Sequence, residues 1–145
     1  MTDILRQAGA IPFRRQPDGL RVLLITSRDT GRWVIPKGGV EPGQTPAQAA
    51  AQEAYEEAGV KGVMHPSPIG IYTYGKRLRA GLVKPAIVEV YPLEVEEQLA
   101  RWPEHDQRRS EWMTVPRAAE RVDEPGLRAL LLRLAEIHDP QSVGG

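Results

Sequence analysis

The stretch TPAQAAAQEAYEEAG, Thr45 to Gly59, carries helix punctuation at both ends, and this constrains how the rest of the chain can fold. Thr45 is a residue type whose side-chain oxygen accepts from the free backbone N–H groups at a helix start. Pro46 suits the first helical position, and Gln48, three residues after the threonine, completes a capping box. Ala47, Ala49, Ala50, Ala51, Ala54 and Ala58 favour the helix, and Gly59 ends it. Strand-like runs stand on both sides. AIPFRR and LRVLLITS, divided by the turn-like QPDG, come before it, and RWVIP follows a second turn, DTG. IGIYTYG and KPAIVEVYPLEV come after it, joined by the flexible, basic KRLRAGLVK. EWMTV predicts a short strand, VPRAAERV a short helix, and PGLRALLLRLAEI a longer helix with an inner leucine face. Leu20 to Thr26 is nearly continuous apolar sequence, as in a strand covered on both faces. Strands interleaved with two substantial helices predict an α/β sandwich built on a mixed sheet. The expectation is one domain over residues 1–145, with its core at about 8–138 and a frayed tail, DPQSVGG.

Charge narrows the function classes. Lysine plus arginine and aspartate plus glutamate number 19 each, which argues against a nucleic-acid polymer or a polybasic membrane surface as partner. The absence of cysteine excludes thiol catalysis and zinc thiolate sites and fits a reducing compartment, so a cytoplasmic location is expected. The charges are also segregated. No acid occurs from Ala58 to Val88, where Lys61, Lys76, Arg77, Arg79 and Lys84 fall. Such a segment suits an anionic substrate and reads equally as a solvated hairpin.

Glu53 lies three residues before Glu56 and four before Glu57, so all three share one helix face, toward the end that disfavours negative charge. A solvated acidic helix end is the plain reading. A hard divalent cation, magnesium or manganese, is the alternative, because it reverses the sign of the repulsion and suits a site shared with phosphates. The preceding loop favours the cation. Gly38 and Gly39 permit close backbone approach, and Lys37 beside them is a candidate phosphate contact. Neither a GxxxxGK[ST] loop nor a GxGxxG turn is present.

The segment from Gly38 to Val60 resembles the signature box of the Nudix hydrolases. Gly38, Glu53, Ala54, Glu56, Glu57, Gly59 and Val60 fall on the pattern of that box, whereas Gln44 and Gln52 stand where it has a glutamate and an arginine. RWVIPKGG, GVKG and RRSEWMTVPRAAE extend the likeness toward the diphosphoinositol polyphosphate phosphohydrolases and their relatives acting on diadenosine polyphosphates. The resemblance implies an α/β/α sandwich and metal-dependent cleavage of phosphoanhydride bonds in a small substrate carrying several phosphates. It implies Glu53, Glu56 and Glu57 as ligands of Mg2+ or Mn2+, with the Gly38 carbonyl as a further one. Gly39, Gln44, Gln52 and Gly59 would have structural roles, with a Gln44–Gln52 hydrogen bond replacing the charged brace between loop and helix. The loss of both charges also motivates a rival reading, a non-catalytic module of the same fold that binds a nucleotide or a protein.

For the chemistry, Glu56 or Glu57 serves as the general base within the cluster, with Glu53 beside them and Glu111 as an outside candidate. Lys37, Lys76, Arg77, Arg79, Lys84, Arg108 and Arg109 are candidate phosphate contacts. Tyr74 borders the pocket or stacks on a base, and Tyr72, Trp33 and Trp112 are expected in the core or pocket wall. His65, His105 and His138 are scattered and suggest no histidine metal site. If repulsion dominates the acid cluster, neutralising Glu57 is expected to raise metal-free stability.

Overall fold

β1 (Leu5–Gln16) and β2 (Gly19–Thr26) form the hairpin implied by QPDG, with partners running from Phe13↔Val22 to Gln16↔Gly19. Gly19 takes φ 122°, which few side-chain-bearing residues adopt. The computed structural model describes residues 3–138, so the tail expected to fray lies outside the described residues. β1 also runs parallel to β7 (Val83–Gln98), from Leu5↔Ala86 to Phe13↔Glu94. β2 pairs antiparallel with β3 (Trp33–Val34) and with β8 (Ser110–Thr114). β7 carries β5 (Val60–Met64) and β6 (Gly70–Arg77), both antiparallel. The mixed sheet expected from the sequence is therefore present.

Each face of this sheet has its own core. On one, Ala49, Ala50, Ala54 and Ala58 of the first helical segment pack on Ala8, Ala10, Leu23, Ile25, Tyr91 and Leu93. On the other, α2 (Val115–Arg121) and α3 (Pro125–His138) place Val115, Ala118, Leu127, Leu130, Leu131 and Leu134 on Ile11, Val22, Leu24, Val88 and Val90. Alternate residues of β2 serve the two cores, which is why its sequence is almost uninterruptedly apolar. The result is an α/β/α sandwich. Among the described residues, no helix is long and apolar enough to cross a membrane.

Two local features differ from expectation, and both shape the site. The PKGG segment is not simply loop: Lys37–Gly39 forms a short strand, β4, pairing with β1 at Gln7↔Gly39 and Gly9↔Lys37. Backbone pairing with β1 holds it there, and an apolar-pattern reading does not register such pairing. The helix starts as expected, α1 (Pro46–Glu53), with both hydrogen bonds of the Thr45–Gln48 capping box formed. It then widens into a π-helical turn, Ala54–Ala58, closed by Gly59 at φ 67°. Wide turns of this kind recur at functional sites, and this one carries Glu56 and Glu57.

Candidate active site

β4, the π turn, the 104–108 segment and the β6 edge converge on a cavity of about 630 Å³. Its acidic wall consists of Glu53, Glu56 and Glu57, with Glu104 beside them. Lys37, Lys76, Arg77, Arg28 and Arg32 line the same cavity, and Arg28 pairs with Glu104 at 3.7 Å. The glutamates and the basic hairpin, far apart in sequence, thus face one space.

Glu57 is buried, and both carboxylate oxygens are engaged. Oε1 accepts from the main-chain N–H of Lys37 at 3.2 Å, and Oε2 forms an ion pair with Arg108 at 3.5 Å. Glu53 lies against Glu57, and burial, a hydrogen bond to Glu57 and the neighbouring Glu57, Glu56 and Glu104 charges push its carboxyl up to about 8. Burial raises Glu57 as well, opposed by the bond from Glu53, by Arg108 and by Lys37. Both shifts favour the protonated form in the absence of metal. Glu56 faces the same cavity and accepts from Gln52 Nε2 at 2.9 Å.

This donor set suits a hard cation. Two adjacent half-buried to buried carboxyls that retain a proton near neutrality are stabilised equally by exchanging it for a divalent ion. Among the described residues the acids do not already converge as a three-ligand cage, since Glu56 is turned toward Gln52. Gly38 has a steric role here: a Cβ at that position would overlap the Glu53 carboxyl. Gly39 has open space around the corresponding direction, so the close approach expected of both glycines is required only at Gly38.

A pH effect follows. The folded, metal-free protein binds a proton at Glu53 that the unfolded chain releases above the ordinary value of 4.5. That contribution is complete at low pH and is lost as pH rises toward about 8. Thermal unfolding in chelator should show this decline across that window, and Glu53→Gln should flatten it. Metal uptake at neutral pH should release a proton, detectable by calorimetry in buffers of different ionisation enthalpy.

The cations sort into held and open groups. The Lys37 ammonium lies 4.8 Å from the Tyr74 ring centroid, its pKa lowered by burial against the pull of Glu57 and Glu124. Arg32 is held by Asp123 and Glu124, each at 3.3 Å. Lys76 and Arg77 are exposed and carry no salt bridge among the described residues.

Other expected site residues fall elsewhere. Arg79 occupies the tip of the β6–β7 hairpin, and Lys84 lies across from Lys76 with Asp3 at 3.9 Å. Neither lines the cavity. Arg109 packs over Trp33 at 5.7 Å. Glu111 sits opposite Leu24 in β8 and pairs with Arg117 at 3.6 Å, outside the cavity lining, which removes it as the outside base. The Gln44–Gln52 bond does not form: Gln44 Oε1 accepts from Glu41 N–H at 3.0 Å, while Gln52 serves Glu56. Each amide has a nearer partner, in its own loop or one helical turn on. Tyr72 is core, whereas Tyr74 lines the cavity and donates to Gln7 at 2.7 Å. The sequence reading missed Arg28, Arg32, Glu104 and Glu124. The arginines flanking DTG were the available signal, and the two acids were hidden among many surface-type glutamates.

With this geometry in hand, comparison with known proteins is decisive about family. A family profile described as NUDIX domain matches residues 4–134. The chain belongs to the Nudix family. Among similar Nudix proteins, "Nudix hydrolase 16, mitochondrial" of Arabidopsis thaliana is 36% identical, the alignment covering 95% of this chain and 84% of that one. "Diphosphoinositol polyphosphate phosphohydrolase 2" of Rattus norvegicus is 36% identical over 76% of this chain and 58% of its own length. A solved Nudix-fold neighbour, an Ap4A hydrolase from C. elegans, superposes with a TM-score of 0.68 at 22% identity, covering 93% of this chain and 98% of that one. The chain is accordingly a Nudix hydrolase, a pyrophosphohydrolase by family.

Proposed function

We propose that this Nudix hydrolase cleaves a phosphoanhydride bond in a small substrate bearing several phosphates, using magnesium or manganese. The observation that carries this reading is one cavity lined both by Glu53, Glu56 and Glu57 and by Lys37, Lys76 and Arg77. Glu53, Glu57 and Glu56 would hold the ion, with the Gly38 carbonyl implied by the family pattern. When bound, the ion supplies positive charge for the phosphoryl oxygens and lowers the cost of deprotonating the attacking water. The chain's own cations, Lys76 and Arg77 above all, orient the phosphates. Water attacks phosphorus, the bridging P–O bond breaks, and the leaving phosphate carries away the electron pair. Glu56 is the favoured acceptor of the water proton, because Glu57 has both oxygens engaged by Lys37 and Arg108.

The cavity also bears on the choice between the two substrate types suggested by the relatives. Tyr74 is its only aromatic lining residue among those described, and Lys37 covers a face of that ring. This supports a compact, densely charged substrate of the diphosphoinositol polyphosphate type over a diadenosine polyphosphate, whose bases call for stacking surfaces. A panel of both, plus small nucleoside diphosphate conjugates, with product identification and with or without chelator, tests the reading. Full turnover in excess chelator sinks the metal mechanism. Binding without turnover of any member supports the non-catalytic module instead.

The open cations give a graded expectation. Neutralising Lys76, Arg77 and Arg79 together should raise KM in proportion to the number of substrate phosphates and flatten the salt dependence of kcat/KM. Lys76 and Arg77 should dominate, because Arg79 stands outside the cavity. An equal loss for every substrate points to a folding role, and no loss marks the hairpin as merely exposed.

A further inference from the structure

We infer that Arg108 is a positioning residue that fixes Glu57 for metal binding from outside the acidic helix, a role that rests on the hydrolase reading above. Its side chain is only 10% exposed, and each guanidinium nitrogen has a protein partner. Nη2 pairs with Glu57 Oε2 at 3.5 Å, Nε with Glu104 Oε1 at 3.0 Å, and Nη1 donates to the Thr26 carbonyl at 3.1 Å. The guanidinium lines the cavity, yet all three of its nitrogens already have a protein partner. A phosphate contact of the kind expected from the sequence needs N–H groups directed at the substrate.

The partners form a closed arrangement. The N–H of Glu104 donates to the Glu56 carbonyl at 3.0 Å, which ties the 104–108 segment to the π turn. Arg108 then reaches from that segment to Glu57, while the Lys37 N–H reaches the other Glu57 oxygen from β4. Glu57 is thus oriented from two directions by elements other than its own helix. The helix itself offers only the neutral Gln52, which is turned to Glu56. The cation paired with Glu57 comes from the neighbouring 104–108 segment, and its planar fork sets orientation as well as charge.

Positioning and simple electrostatics predict opposite signs for metal affinity. Removing a nearby cation lowers repulsion toward a dication and should tighten its binding. Removing the group that orients a ligand weakens it. The test is Mn2+ affinity without substrate, read from the free-ion EPR signal at a pH above the Glu53 transition. It compares wild type, R108K, R108Q, E57Q and E57Q/R108Q, with thermal unfolding to establish that each folds.

R108Q should weaken Mn2+ binding about tenfold or more, and R108K should recover part of the loss. In the E57Q background R108Q should add little, since nothing remains to be oriented. Unchanged or tighter Mn2+ binding by R108Q overturns the inference, as does full additivity with E57Q. An increase in KM for a polyphosphate with Mn2+ binding unchanged assigns Arg108 to the substrate instead. If R108Q does not fold, E104Q takes its place, with a smaller loss of Mn2+ affinity expected and none overturning the inference. Wild-type protein that fails to bind Mn2+ also overturns it. If wild type binds Mn2+ yet cleaves no member of the panel, the hydrolase reading fails while the Arg108 comparison is still decided.

Discussion

Glu57→Gln should leave a folded protein whose hydrolysis is slower by a factor on the order of 100 or more, a loss exceeding that of removing an outer partner. One carboxylate oxygen accepts from the Lys37 N–H, and the other forms an ion pair with Arg108. An amide has one acceptor end and one donor end, so one contact becomes donor against donor. Metal-free stability should fall by about 1–2 kcal/mol for the weakened charge-assisted contacts. At this chain length, that lowers Tm by roughly 2–6 °C. The repulsion argument from sequence anticipated a gain. Burial and the neighbouring acids raise the Glu53 carboxyl to about 8, so near neutrality repulsion in the metal-free protein is reduced and the expected sign reverses. Magnesium-induced stabilisation should shrink in parallel with turnover. Hydrolysis assays and thermal unfolding with and without magnesium check both, and unchanged values would place Glu57 outside the metal site.

A large loss of stability from a single methylene-sized change is expected at Gly59. Its φ of 67° disfavours any Cβ, and a Cβ there would run into the Trp102 ring. Together these terms suggest a cost of about 3 kcal/mol for Gly59→Ala. That corresponds to a Tm lower by roughly 6–12 °C. The damage should reach the site, because Gly59 closes the turn that carries Glu56 and Glu57. Restoring space with Trp102→Leu in the same chain should recover the steric part but not the backbone part. Recovery of neither, or a neutral Gly59→Ala, would show that the turn can end without a left-handed residue.

What could be read in the sequence was what local physics dictates. The Thr45 cap, the Gly59 stop, the two-sided strand β2 and the shared face of Glu53, Glu56 and Glu57 follow from residue type and spacing, and all appear. The partners of polar side chains were not legible in the same way. Gln44 and Gln52 are matched in chemistry, yet Glu41 and Glu56 are nearer in the folded chain. Arg108 read as a candidate phosphate contact, and its burial beside Glu57 was not visible in the sequence. The π turn was invisible for a related reason. It shifts hydrogen bonds by one residue without disturbing the alanine-rich pattern that predicts a helix.

The β6–β7 hairpin is attached to the molecule very differently from the acid wall. Glu53, Glu56 and Glu57 sit on a segment packed against the sheet, whereas Lys76 and Arg77 lie on an outer strand whose only sheet neighbour among the described residues is β7. On the proposed function, reaction and recognition are therefore built on separable parts. Residues 76–84 should tolerate changes of length and charge that the π turn does not, so exchanging this one hairpin should alter substrate preference while the hydrolytic apparatus is inherited whole.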